Sequence, residues 1–189
     1  MYGLEDVETV GVVGAGTMGA GIAQVAATAG YDVVMRDVEQ SFLDDGFETI
    51  DDSLSRLVGR DALTEAEAED AKARITGTTE LDDLAGAEIV VEAAPEEMEL
   101  KQSIFADLDE VLDEGALLAT NTSTLSITTI ASATERADAV AGLHFMNPVP
   151  IMDGVEVVTG ERTSDEATAL SHAFAEDLGK ETWESDDKP

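Results

Sequence analysis

The sequence contains no cysteine. That excludes disulfides, thiolate nucleophiles and cysteine-ligated metal centres. Positive charge is also scarce: 10 Lys+Arg stand against 42 Asp+Glu, a formal net charge of −32. Such a chain has no basic patch to neutralise phosphates, so generic nucleic-acid binding is disfavoured. No apolar run approaches the roughly 18 residues of a membrane span. The opening "MYGLEDVETV" has neither the basic start nor the apolar core of a secretory leader. These absences predict a soluble, cytoplasmic protein with no membrane and no nucleic-acid partner. In that setting the Asn-Thr-Ser sequon at Asn121 carries no weight. The sequence shows no metal-ligand cluster.

What remains is a globular composition. The chain has 189 residues and is 43% hydrophobic, enough for one domain with a buried core. The acids are interleaved with apolar residues along the whole chain and form no disordered tail. Their mutual repulsion disfavours a compact state unless counter-ions screen it. The pattern predicts a halophile's surface, adapted to molar salt; the alternative is an ordinary acidic protein.

Strands alternate with helices. "VETVGVVGAG" (7–16) reads as a strand entering a glycine-rich turn, "TMGAGIAQVAATAG" (17–30) as a helix ending at Gly30, and "YDVVMRD" (31–37) as a second strand. Together they make one βαβ unit. An amphipathic helix follows over 39–58, then a short acidic helix capped by Thr64, then a short strand and loop. Further strands are predicted at 88–95, ended by Pro95, and at 115–123, 137–145, 154–160 and 180–185. Helices are predicted at 97–112, 126–133 and 165–178. The alternation predicts an α/β, Rossmann-like doubly wound, mostly parallel sheet, with residues 1–189 forming one domain.

"GAGTMG" (14–19) fits G-x-G-x-x-G. The pattern alone is weak. Here it follows a strand, opens a helix, and has Asp37 at the end of the next strand. Gly14 permits the tight turn, Gly16 the close approach of backbone to a pyrophosphate, and Gly19 close packing of helix on strand. Thr17 and Met18 complete the helix N-terminus, where the pyrophosphate sits. Asp37 suits the adenosine ribose hydroxyls and repels a 2′-phosphate, which favours NAD. Arg36 beside it could instead accommodate NADP.

His144 lies in "GLHFMNPVPIMDGVEVV" (142–158). It is either a structural imidazole or a catalytic base. Its place at a strand's carboxyl end is where open α/β sheets bind ligands. A return through "NPVP" can set Glu156 against the ring, fixing its tautomer and leaving one nitrogen as a base. The polar "NTSTLS" (121–126) ends a strand at the same edge. His172, on a helix, reads as an exposed bystander.

With "VVEAAPEEMELKQSIF" (90–105) added, these blocks resemble the L-3-hydroxyacyl-CoA dehydrogenase family across essentially the whole chain. The resemblance implies NAD-dependent oxidation of the 3-hydroxyl of an acyl-CoA to a ketone, in fatty-acid β-oxidation or butyrate metabolism. It implies His144 as general base, Glu156 as its orienting partner, and Ser123 as the hydroxyl that hydrogen-bonds the reacting oxygen and the nicotinamide side. It places Asn147 beside the nicotinamide, Glu96 and Lys101 as cofactor contacts, and Ser53 and Arg60 as contacts to CoA. Arg60 stands where lysine is commoner in the family, keeping the charge with a bidentate grip.

The family continues into a helical C-terminal domain with a Gly-Phe-x-x-Asn-Arg block. Residues 1–189 contain no such block. Either a separate helical domain or a homo-oligomer is then the expected partner, beside the acyl-CoA substrate. The alternative is a stand-alone NAD-binding module or subunit with little turnover. A third reading changes the substrate to a related hydroxy acid such as L-gulonate or carnitine.

Overall fold

The computed structural model describes residues 1–187; the last two residues of the predicted 1–189 domain, Lys188 and Pro189, lie outside the described part. Eight strands form one sheet: β1 (Thr9–Val13), β2 (Asp32–Arg36), β3 (Ile75–Thr78), β4 (Ile89–Glu92), β5 (Leu117–Thr120), β6 (Val140–Phe145), β7 (Gly154–Thr159) and β8 (Glu181–Asp186). Their order is β3-β2-β1-β4-β5-β6-β7-β8. All neighbours are parallel except β6 and β7, which the short return through "NPVP" forces to be antiparallel. The doubly wound reading holds.

The helices are α1 (Thr17–Ala29), α2 (Gln40–Val58), α3 (Glu65–Ala73), α4 (Met98–Val111), α5 (Ile127–Ala131) and α6 (Asp165–Asp177). They cover both faces. Side chains of α1, α2, α3 and α6 share one apolar cluster with one face of the sheet. Those of α4 and α5 share a second cluster with the other. Double coverage explains why the central strands read as unbroken apolar runs. No helix among the described residues is long and apolar enough to cross a membrane.

Local signals set most boundaries. Thr64 caps α3 in a reciprocal box with Glu67. Gly30 ends α1, its N–H returning to Ala26 and Ala27. Three strands are shorter than expected: β5 is only Leu117–Thr120, β6 begins at Val140 after a 3-10 turn at Ala137–Ala139, and β4 stops at Glu92, short of Pro95. Ala93 N–H still reaches β1 at Val13, but the next amide, Ala94, donates to the Glu92 side chain. A side-chain acceptor thus replaces the ladder.

Strand order reverses between β1 and β4, so the chain leaves the two strands in opposite directions. That crevice at the carboxyl edge is the standard ligand position in open sheets. The loops after β1, β4, β5 and β6 all emerge there. Because β7 is antiparallel, its amino-terminal half, with Glu156, returns to the same edge.

Candidate active site

The glycine turn is built by close contacts. Gly14 has φ +102°, and a Cβ there would meet the Ala93 carbonyl oxygen at 2.8 Å. A Cβ on Gly19 would fall 1.7 Å from the Gly14 carbonyl oxygen, so only glycine fits. Gly16 is different. Its backbone is extended, and a Cβ there would meet nothing within 4 Å. Gly16 also caps α1 without a side-chain hydrogen bond, and no acid occupies the helix's first turn. Backbone N–H groups at an uncapped helix start suit an anion.

The turn lines a cleft of about 630 Å³ with Thr17, Met18, Arg36 and Asp37. Asp37 does more than wait for a ribose. Its two oxygens accept from the Ala15 N–H at 2.7 Å and the Val38 N–H at 2.7 Å, so it holds the turn in shape. A carboxylate has about four acceptor positions, which leaves room for ribose hydroxyls. Arg36 Nε is the one buried side-chain polar atom without a hydrogen-bond partner among the described residues, and it sits in this wall. Open space at Gly16, donors at the helix start and an orphaned donor beside Asp37 together fit a dinucleotide.

A second cleft of about 340 Å³ adjoins the first, sharing Met18, Ala93 and Ala94 with it. Glu96, Lys101, Ser123, His144 and Asn147 line it. His144 and Glu156 are directly opposed across β6 and β7. His144 Nδ1 lies 3.2 Å from Glu156 Oε2, and the imidazole is 23% exposed. Glu156 is held below the usual carboxylate range, first by the Ser185 hydroxyl and then by His144, against the opposing effect of burial.

Glu96 ties two loops together. Its Oε1 accepts from the Thr122 hydroxyl, from the Ser123 N–H at 3.0 Å and from the Thr124 N–H at 3.3 Å. Burial pushes its carboxyl up, but these bonds and the Lys101 charge outweigh that and hold it low. Glu96 therefore positions the segment carrying Ser123.

Lys101 is 1% exposed. Its ammonium sits 2.6 Å from Glu92 Oε1 and 3.1 Å from the Ala94 carbonyl oxygen, with Glu96 Oε2 at 3.6 Å. Glu92, fully buried, also accepts from Thr120. The sequence singled out Lys101 but missed Glu92. The available signal was one acid interrupting the apolar run of β4, nine residues before a lysine.

A third cleft, about 240 Å³, holds Ser53 and Arg60 with Thr49 and Arg56. It shares Thr17 with the first cleft and Asn147 with the second. Arg56 was also missed. It lies in the last turn of α2, four residues before Arg60, which follows the helix; these are two cations close together in a chain with ten. Asn121, set aside as a sequon, accepts the Phe145 N–H at 2.9 Å and joins the ends of β5 and β6. His172 is corrected: it is 25% exposed, with Nδ1 2.8 Å from the Thr182 hydroxyl, packed between α6 and β8.

The family model described as "3-hydroxyacyl-CoA dehydrogenase, NAD binding domain" matches residues 9–187. A 3-hydroxybutyryl-CoA dehydrogenase of Bradyrhizobium diazoefficiens is 45% identical over 183 residues, 97% of this chain and 62% of that protein. A 3-hydroxyadipyl-CoA dehydrogenase of Escherichia coli is 45% identical over 85% of this chain and 34% of its own length. The crystal structure of (S)-3-hydroxybutyryl-CoA dehydrogenase from Ralstonia eutropha superposes with a TM-score of 0.95 at 44% identity, covering 97% of this chain and 65% of that one. The chain spans less than two thirds of the length of each.

Proposed function

Since the chain belongs to the NAD-binding domain family of 3-hydroxyacyl-CoA dehydrogenases, we propose that it oxidises the 3-hydroxyl of an L-3-hydroxyacyl-CoA, with His144 taking the hydroxyl proton. The observation that carries this reading is the His144–Glu156 pair, in a cleft that shares walls with the glycine-turn cleft on one side and the Arg56–Arg60 cleft on the other.

The proton's route follows from the pair. A carboxylate held low is ionised at neutral pH and can only accept hydrogen bonds. Nδ1 must then carry the proton shared with Glu156, which leaves Nε2 as the base. As Nε2 removes the hydroxyl proton, the C3–O bond becomes a carbonyl and C3 releases hydride. Bound NAD supplies the acceptor for that hydride. The imidazolium that forms faces an ionised Glu156, which stabilises it. Ser123 and Asn147 line the same cleft, and we assign them to the reacting oxygen and the nicotinamide side. Arg56, Arg60 and Ser53 are suited to the anionic end of CoA. On this account Lys101 serves the cofactor indirectly, by fixing the Ala93–Glu96 loop.

A second reading follows from coverage. The chain spans 62% of the Bradyrhizobium relative. In it residues 1–189 act as an NAD-binding module with little turnover on their own. One experiment separates the two: calorimetry with NADH and turnover of acetoacetyl-CoA with NADH, both in high salt. Binding with turnover supports the enzyme reading, and binding without turnover the module. No NADH binding at any salt concentration refutes both. The same site reading expects NADH to bind more tightly than NADPH, because Asp37 opposes a 2′-phosphate.

A further inference from the structure

The return from β6 to β7 explains why Glu156 lies opposite His144. It does not explain why the carboxylate points at the ring. A partly exposed glutamate has three rotatable side-chain bonds, and ordering it costs entropy. An ion pair at such a site is a weak restraint. Something else must select the rotamer.

β8 supplies it. Trp183 is in register with Glu156, and Ser185 follows two residues on, on the same face of the sheet. The Ser185 hydroxyl donates to Glu156 Oε1 at 2.6 Å, while Oε2 meets His144 Nδ1 at 3.2 Å. We propose that Ser185 is a positioning residue for the catalytic pair, its hydroxyl holding the Glu156 carboxylate in the rotamer that meets His144. The proposal rests on the reading of His144 as the base.

The order of the three groups decides what they do. In a hydrolytic triad the imidazole stands between hydroxyl and carboxylate and activates the hydroxyl. Here the carboxylate stands in the middle. Ser185 can only donate to it, through a charge-assisted bond stronger than a neutral one. Ser185 therefore keeps its proton, forms no covalent bond and acts only through Glu156.

The test uses the full chain as wild type, Ser185→Ala, Ser185→Thr, Glu156→Gln and the Ser185→Ala/Glu156→Gln double variant. With acetoacetyl-CoA and NADH, Ser185→Ala lowers kcat about tenfold, as expected for losing a hydrogen bond to a charged group, and leaves the KM for NADH unchanged. Ser185→Thr restores kcat. Ser185→Ala causes no further loss in the Glu156→Gln background. A second readout needs no turnover. The downfield NMR resonance of the His144 Nδ1 proton is present in wild type and Ser185→Thr, and lost in Glu156→Gln and Ser185→Ala. Wild-type kcat with an undiminished resonance in Ser185→Ala overturns the proposal. So does a further loss in the double variant. If the wild type does not turn over acetoacetyl-CoA, the enzyme reading fails while the resonance still decides the role of Ser185.

Discussion

Replacing Lys101 with methionine isolates the buried pair beneath the two cofactor-side clefts. Met keeps the length and removes the charge. Glu92 is fully buried, and Lys101 is 1% exposed, so water cannot take over the lost contact. Glu92 would keep the Ala94 N–H and the Thr120 hydroxyl as donors. Those are too few to stabilise a buried anion whose cation is gone. Removing one partner of a buried pair costs about 3–5 kcal/mol. For a domain of this size each kcal/mol shifts Tm by about 2–4 °C, so a fall of roughly 6–20 °C is expected. The double variant Glu92→Gln/Lys101→Met should recover much of it, because a neutral amide still accepts from the Ala94 N–H. The assay is thermal unfolding followed by circular dichroism at constant high salt. A loss below about 1 kcal/mol in Lys101→Met, the size typical of a surface pair, would refute the claim that Lys101 is a buried strut.

Three other outcomes are expected. Gly16→Ala should fold normally, since its Cβ meets no protein atom within 4 Å, yet weaken NAD binding in calorimetry by filling pyrophosphate space; unchanged affinity would move the pyrophosphate elsewhere. Glu96 has a depressed pKa, so its stabilisation is complete above the unfolded value and fades as pH falls through the folded one. Acidification should therefore lower the protection factors of the Ser123 and Thr124 amides, each rate being referred to its intrinsic value at that pH, and Glu96→Gln should remove most of that dependence. We also expect the net charge of −32 to make folding salt-dependent, and full ellipticity after dialysis into millimolar buffer would contradict a halophilic surface.

Much of the site was legible because its signals are local. The glycine spacing, the α1 start and Asp37 fall within one βαβ unit, where chain connectivity leaves little freedom. The pairing of His144 with Glu156 was legible because two strands joined by a short return must be neighbours. What escaped depends on strand order across the sheet. Ser185 meets Glu156 only because β8 adds in parallel outside β7, and nothing in "KETWES" announces that. The same strand brings Thr182 to His172, turning an expected bystander into a packed side chain. Glu92 and Lys101 pair because α4 folds back under the loop that follows β4. The family resemblance pointed to Lys101, but its depth is a property of packing that the linear pattern does not carry.

The central claim is that His144 moves the proton while the glycine-turn cleft holds the coenzyme. The most direct measurement compares wild type and His144→Gln, recording NADH affinity by calorimetry and acetoacetyl-CoA reduction by loss of NADH absorbance. Where the helical part is required for turnover, both are measured in its presence. The expected result is a rate lowered about 10²–10⁴-fold, the usual worth of a general base, with NADH affinity nearly unchanged. An unaltered rate in His144→Gln would contradict it and return His144 to a structural role.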